Sequence, residues 1–532
     1  MDKFVAWWKQ DKRYVTFIKS VLLALLPVMC CLVYCAGQGR TLGQVYLPGS
    51  EWNDELFYYK QVEGIIQFGY PQGYFGFNES HALKLSFAAW SPVLVFPWVL
   101  WGLVFGWNLM SPIVCNIVLM TLGCFLFVWL VKPDWKQLGI LSLLFCLFRL
   151  FVRYMLSGMP EIICFVMLIL FYGLAINYLK RDKAWKLVLL LVIGSVMTLM
   201  RPYLLLFLLL PMYLWIRRNR RKGLLGSILV MFLTVLLYVC IKHYLGAEYF
   251  APLFFTDWIT AFFENGIFGG LHFMLVKLYY MGASFSQNVA ESFSSGIAMG
   301  AFFSGYLITL FILLYQSIAD YLKYRRDKIE NKLLIIEVHL LFSFVAMLFA
   351  LLLMYKLEEG SKHLLTFIAA GIFVISLMET KFFKKPMLLG VAFAFFYSYK
   401  AVSAYDYQVP FVTEERQVQL ENWTSALSEM LSLSDGAAPS FDNVVIWVFN
   451  DEVDDDVRVR TAWQMLYGLP KGFGISCCEQ EYVIENFESL QSRYLLTLSG
   501  GQIDLLCREA EYRELYRDED TVFYDKKVPL GQ

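Results

Sequence analysis

Charge is scarce in this chain. Only 17% of its 532 residues are charged, while 58% are hydrophobic and 17% aromatic, and the mean hydropathy is +0.54. A soluble domain carries about 25% charged and about 45–50% apolar residues, so the chain as a whole is not one. Cofactor signatures are missing too: there is no GxGxxG, no P-loop and no nucleophile motif, nor an internal repeat of about 20–50 residues. Of the 11 cysteines, all but Cys477, Cys478 and Cys507 sit within apolar runs, and those three lack metal-ligand spacing. They read as small apolar residues, not as a disulfide or zinc framework. Basic residues are few in the last part. Residues 403–532 hold 24 acids and 10 bases, against 21 and 35 in the rest. An acidic aqueous part argues against a nucleic-acid partner, whose phosphates need Lys and Arg.

Long apolar runs are what the sequence has in plenty. Several reach the roughly 17–25 residues that cross a bilayer. Lys and Arg mark the inner side, and the N-terminus carries Lys3, Lys9, Lys12 and Arg13. The first run, about 17–36, has no A-x-A-like cleavage site and reads as a retained helix. It delivers residues 37–85 to the outside. Basic clusters then recur at Lys132/Lys136, Lys180–Lys186, Arg217–Lys222, Lys323–Arg326 and Lys381–Lys385. External turns are expected near Met155–Pro160, Arg201-Pro202, His243–Ala298 and Glu358–His363. A last helix at about 386–402 then leaves the acidic tail outside. Residues 86–106 are apolar, but Pro92 and Pro97 interrupt a regular helix, and a simple crossing there would invert every later basic cluster. That segment is expected to be interfacial or re-entrant.

The predicted fold is therefore mainly α: a polytopic transmembrane bundle of about eleven crossings over residues 1–403, N-terminus in and C-terminus out. A small external α/β domain follows over 404–532. Strands are expected at 444–449, 493–498 and 521–525, and helices at 462–469 and 502–510. The C-terminal Val528-Pro529-Leu530-Gly531-Gln532 shows no retention signal, and a bacterial plasma membrane is the expected location.

Chemistry is expected in the first external loop. Asp54 and Glu55 lie just beyond the first helix, between Trp52 and Phe57-Tyr58-Tyr59. A carboxylate there suits a general base towards a hydroxyl, or a ligand of a divalent metal ion. Aromatic neighbours can stack on sugar rings and exclude water. Asp54 is equally suited to cap a helix that begins at Glu55. A second group is Asn78-Glu79-Ser80-His81 with Lys84. There Glu79 and His81 are candidates for substrate binding, and Lys84 for phosphate neutralisation or snorkelling. A third is Glu358-Glu359-Gly360-Ser361-Lys362-His363, as suited to a solvated turn as to a clamp. Arg153 and Arg201, ionisable residues at the external ends of apolar runs, can bind phosphate or snorkel.

An Asp-Glu pair in the first long external loop, then a Gly/Tyr/Pro-rich stretch and a proline-containing apolar segment, resembles the membrane-embedded C-superfamily glycosyltransferases. Ser157-Gly158-Met159-Pro160-Glu161 opening a helix, Arg201-Pro202 at a turn and a final α/β domain fit the same layout. That group includes protein mannosyltransferases, aminoarabinose transferases and oligosaccharyltransferase catalytic subunits. The resemblance implies transfer of a sugar from a polyprenyl-phosphate-linked donor to a glycan, lipid or protein acceptor, with inversion, beside the membrane lipid. It implies Asp54 as base with Glu55 beside it, and Lys362 and His363 at the donor's phosphate. It leaves the divalent metal ion open. A transporter or flippase of a lipid-linked saccharide is the alternative, as is a polysaccharide polymerase or ligase. The first of these needs ionisable residues near mid-membrane, whereas here they cluster at external ends.

Overall fold

The computed structural model describes residues 13–45, 54–71, 79, 91–245, 254–294, 298–328, 332–355, 357–378, 409, 411, 413–428, 430–431, 440–449, 461 and 469–529. Among these, seven helices are long and apolar enough to cross a bilayer: Arg13–Gly37, Ser111–Val131, Glu161–Lys180, Arg220–Leu245, Asp257–Ser294, Phe302–Asp327 and Leu334–Met354. Shorter apolar helices cover Pro92–Phe105, Trp135–Leu147, Ala184–Met200 and Lys362–Ile375. The last predicted crossing, 386–402, lies outside the described residues.

In chain order the helices that position the site are α1 (Arg13–Gly37), α2 (Asp54–Phe68), α3 (Phe96–Phe105), α4 (Ser111–Val131), α5 (Trp135–Leu147), α6 (Leu150–Met155), α7 (Glu161–Lys180), α8 (Ala184–Met200), α9 (Leu205–Arg218), α10 (Arg220–Leu245), α11 (Asp257–Ser294), α12 (Ala298–Asp327), α13 (Leu334–Met354) and α14 (Leu357–Ile375). Helices α1, α4 and α7 form the centre. A Cβ on Gly123 of α4 would lie 3.1 Å from Val166 of α7, and one on Gly173 would lie 3.2 Å from Phe127. Small residues let these backbones approach closely.

Two basic side chains, Lys180 and Lys19, stand at one end of this centre. Lys180 Nζ donates to Val131 O at 2.6 Å, Asn177 Nδ2 to Leu130 O at 2.6 Å, and Lys19 Nζ to Pro133 O at 2.8 Å. Cations there satisfy carbonyls that the helix C-termini leave open. The turns at 156–160 and 201–204 stand at the opposite end, where the sequence places them.

Residues 91–105 differ from a crossing in their length. Pro92 opens a short 3₁₀ turn over Pro92–Val95, and Pro97 sits in the first turn of α3. Both prolines occupy positions that tolerate a missing N–H. At ten residues, α3 is about 15 Å long, half a bilayer core. Phe96, Leu100 and Leu103 point outward while Trp98 is fully buried. The segment is a short apolar helix pinned by one tryptophan.

One expectation is corrected. The described residues of the turn expected over 243–298 are largely helical, and Gly266 (φ 68°, ψ −176°) folds α11 back on itself. Asp257 Oδ1 thereby meets Lys277 Nζ at 2.6 Å, residues that a straight helix would hold about 30 Å apart. Phe255 N donates to Met354 O at 2.8 Å, so α11 begins at the site end of α13.

The tail carries α15 (Glu414–Ser428) and a five-stranded sheet of β1 (Val444–Phe449), β2 (Gly474–Glu479), β3 (Tyr494–Leu498), β4 (Tyr512–Arg517) and β5 (Thr521–Pro529), in the order β2-β1-β3-β5-β4. The β2-β1-β3 pairs are parallel and the β3-β5-β4 pairs antiparallel. Side chains alternate between faces. Ile446, Cys478, Leu495, Val522 and Tyr524 pack beneath α16 (Gln480–Glu485) and α17 (Gln502–Glu509). Val445, Trp447, Ile475, Leu496 and Phe523 face the other way and join the core of the bundle. The tail is therefore docked on the bundle, not tethered to it. Two contacts show how. Glu63 of α2 accepts from Gly472 N at 3.2 Å, and Val45 forms an antiparallel bridge with Phe411. Gly472 is required by its backbone, whose φ is +94°.

Candidate active site

The first turn of α2 carries Asp54 and Glu55, acids that suit a helix N-terminus. Their carboxylates go separate ways. Asp54 Oδ2 accepts from Lys362 Nζ of α14 at 2.7 Å, in a pair whose side chains are 21% and 27% exposed. Glu55 is fully buried and accepts from Gly158 N at 2.8 Å. Asp54 thus pairs across 308 residues of sequence.

Gly158 belongs to the turn that joins α6 to α7, and that turn is built by side chains. Ser157 Oγ donates to Tyr154 O at 2.9 Å and accepts from Met159 N at 3.2 Å. Pro160 then precedes Glu161, the first residue of α7. Glu161 Oε1 accepts from Arg201 Nη2 at 2.6 Å, and both side chains are 0% exposed. Arg201 sits where α8 ends, in extended conformation before Pro202. Its Nη1 reaches Tyr203 Oη at 3.1 Å and His363 Nδ1 at 2.9 Å. The His363 ring packs between Tyr203, 5.3 Å away, and Tyr355, 5.6 Å away.

Two layers result. Asp54 and Lys362 have surface that a substrate can reach. Glu55, Glu161, Arg201 and His363 lie buried behind them, joined by hydrogen bonds through the Gly158 turn. Arg153 is buried as well, on α6. Among the expected cations that lie in the described residues, only Lys362 keeps appreciable exposure. The aromatic neighbours also turn inward. Phe57, Tyr58 and Tyr59 are buried, and Tyr59 stacks on Trp107 at 5.1 Å.

Glu79 is placed elsewhere. Its carboxylate accepts from Gln491 N at 2.8 Å and from Ser492 N, and Ser476 Oγ donates to its carbonyl at 3.2 Å. The side chain ties the first loop to the tail domain. His81, Lys84 and Trp52 lie outside the described residues. A divalent ion finds no donor set in what is described. No group of three or more His, Cys, Asp or Glu stands together among the described residues. Asp54 already holds an ammonium at 2.7 Å, a position hostile to a second cation.

Asn116, Gly158 and Tyr203 were not predicted as site residues, and Glu161 was noticed only as opening a helix. For Asn116 the available signal was an amide inside an apolar run. For Glu161 it was an acid at the same predicted end as Arg201. Tyr203 and Gly158 carry no signal beyond neighbouring such residues.

No family model and no curated protein matches the chain. Among solved structures, the chain is similar over 99% of its length to the apo oligosaccharyltransferase of Archaeoglobus fulgidus, covering 76% of that chain, with 14% identity and a TM-score of 0.48. It is also similar to ArnT from Cupriavidus metallidurans in the apo state, over 95% of this chain and 97% of that one (9% identity, TM-score 0.41). The same protein bound to undecaprenyl phosphate covers 96% and 98% (9% identity, TM-score 0.40).

Proposed function

We propose that the protein is an integral-membrane glycosyltransferase. It moves a sugar from a polyprenyl-phosphate-linked donor to a hydroxyl acceptor on the external face of a bacterial plasma membrane, in cell-envelope glycan or glycoconjugate assembly. The observation that carries this reading is the Asp54–Lys362 pair, which joins a carboxylate of the first loop to a cation of a late helix at one partly open place. A transfer that deprotonates a hydroxyl and expels a phosphate needs those two charges side by side.

In the mechanism the donor's phosphate competes with Asp54 for Lys362. Once Lys362 turns to the phosphate, the Asp54 carboxylate is free to accept the acceptor's hydroxyl proton. The acceptor oxygen bonds to the anomeric carbon, the bond from that carbon to the phosphate oxygen breaks, and polyprenyl phosphate leaves with the electron pair. A single displacement inverts the anomeric centre. Lys362 stabilises the charge that grows on the leaving phosphate. Glu55 is a positioning residue: its bond to Gly158 N fixes the first turn of α2 and with it Asp54. Arg201, with Glu161 and His363, holds the floor of the site. No step is routed through a metal.

The test is sugar transfer from synthetic polyprenyl-phosphate sugars by purified wild type and by Asp54→Asn in the same lipid. General-base removal should lower kcat by about 10²–10⁴-fold with the fold intact. Equal transfer by both removes Asp54 from the mechanism. Movement of labelled lipid between leaflets without transfer replaces the enzyme by a transporter.

A further inference from the structure

The carboxamide of Asn116 is completely buried in α4, and it touches four residues of the site's framework. Its Oδ1 accepts from Trp98 Nε1 of the short helix α3 at 3.0 Å. Its Nδ2 lies 3.0 Å from Ser157 O, 3.4 Å from Tyr154 O and 3.4 Å from Met159 O. Three carbonyls on one side and an N–H on the other settle which way the amide points. They also exhaust its donors, since two N–H groups are shared among three acceptors.

We propose that Asn116 is a positioning residue for the transfer reaction: by holding the Tyr154, Ser157 and Met159 carbonyls, it sets the turn that presents Gly158 N to Glu55 and Glu161 to Arg201. The inference rests on the glycosyltransferase reading. With the Ser157 and Met159 carbonyls drawn towards α4, the amide between them is left facing α2, where Glu55 accepts it at 2.8 Å. Pro160 and Glu161 follow directly, so the same anchor fixes where α7 begins. Trp98 extends the connection to α3. One neutral side chain thus links the short helix α3, the bundle centre and the first turn of α2.

A helix pairing at the other end supplies the control. Asn177 of α7 donates to Leu130 O of α4 at 2.6 Å, joining the same two helices at the basic end. It has no connection to Glu55 or Glu161 in the described residues. The experiment compares wild type, Asn116→Ala, Asn116→Asp and Asn177→Ala, each purified in full length in the same lipid. Two readouts are taken: steady-state transfer, and hydrogen–deuterium exchange of the peptide spanning 154–163.

A misplaced framework costs about 10²-fold in kcat, so Asn116→Ala should lose that much with donor KM within about threefold. Exchange in 154–163 should quicken about tenfold or more, since the anchored turn opens locally. Asn116→Asp should be worse on both, because it sets a carboxylate against three carbonyls. Asn177→Ala should lower the unfolding temperature yet leave kcat and that peptide as in wild type. The proposal is overturned by unchanged exchange in Asn116→Ala, or by an equal loss of kcat in Asn177→Ala. Should Asn116→Ala not fold, Trp98→Phe frees only Oδ1 and carries the same test with a smaller expected change. The exchange arm needs no substrate. If wild type transfers no sugar, the functional reading falls while exchange still decides whether Asn116 sets the turn.

Discussion

Two ion pairs stand in the candidate site, almost equal in length and opposite in setting. Lys362 meets Asp54 at 2.7 Å with roughly a quarter of each side chain exposed, whereas Arg201 meets Glu161 at 2.6 Å with neither exposed. Water screens the first pair, so exchanging one partner for another charged group costs little. The second pair is out of water, and losing either partner strands a charge in a poor dielectric. A group that must trade partners during turnover belongs in the first setting, and one that must never move belongs in the second. The contrast fits the proposed roles: chemistry for Asp54 and Lys362, support for Glu161 and Arg201.

The largest expected effect breaks that contrast from the buried side. Arg201→Met should destabilise the protein by about 3–5 kcal/mol, the usual result of stripping one partner from a buried pair. Glu161→Gln should cost a similar amount. The double change Glu161→Leu/Arg201→Met should recover most of it, since no charge is then left alone. Asp54→Asn, by comparison, should alter stability by no more than about 1 kcal/mol. Thermal unfolding in one detergent measures all four. An Asp54→Asn protein as unstable as Arg201→Met would end the distinction between the pairs.

Next comes the exposed cation itself. Lys362→Met removes a charged hydrogen bond worth about 1.5–3 kcal/mol, so donor KM should rise by about 10–100-fold. The melting temperature should hardly change. If KM is unaffected and stability falls, Lys362 is a structural partner of Asp54 and no more.

The exposed pair was also the legible one. Asp54 and Lys362 announced themselves as charges at the predicted external ends of apolar runs, where a bilayer tolerates them only for cause. Their pairing to each other was not legible, being set by the packing of α2 against α14. Glu161 hid behind the reading of Pro160-Glu161 as an ordinary helix start, and Asn116 behind the apolar run that surrounds it. In the tail, 444–449, 493–498 and 521–525 show β-branched and aromatic residues and were readable as strands. Gly474–Glu479, rich in Gly, Ser and Cys, was not, because burial against β1 rather than propensity makes it a strand. The turn expected over 243–298 failed on Gly266, whose single positive φ folds one apolar helix back on itself. The role of Glu79 could not be read at all, since its carboxylate's partners lie more than 400 residues away. Glu79→Gln leaves one amide without an ionised acceptor and should loosen the tail's docking by about 1.5–3 kcal/mol. Limited proteolysis of the tail in the intact protein measures it.

The smallest effect comes from a third pair, in the tail, whose exposure falls between the other two. Asp504 is fully buried, while Arg517, 2.9 Å away, is 24% exposed. Burial alone would raise the Asp504 carboxyl, but hydrogen bonds from Arg517, Tyr524 and Gly500 N overcome it and hold the group well below the usual range. The unfolded chain therefore takes up this proton at a pH where the folded tail still refuses it. Stability from Asp504 is complete above about pH 4 and declines as acid approaches the folded value, by at most about 1.4 kcal/mol per pH unit. Tyr524 mirrors it on the alkaline side. Burial and its bond to Asp504 push the phenol up to about 12. Its share of stability is complete below about pH 10 and disappears as pH rises through the folded value. Thermal unfolding of the full chain from about pH 2 to pH 5, followed by a tail-specific probe, should show the acid slope in wild type. Asp504→Asn should flatten it. A slope unchanged in Asp504→Asn would assign the acid sensitivity to other carboxylates, and would mean that 24% exposure of one partner already screens the pair as thoroughly as at Asp54.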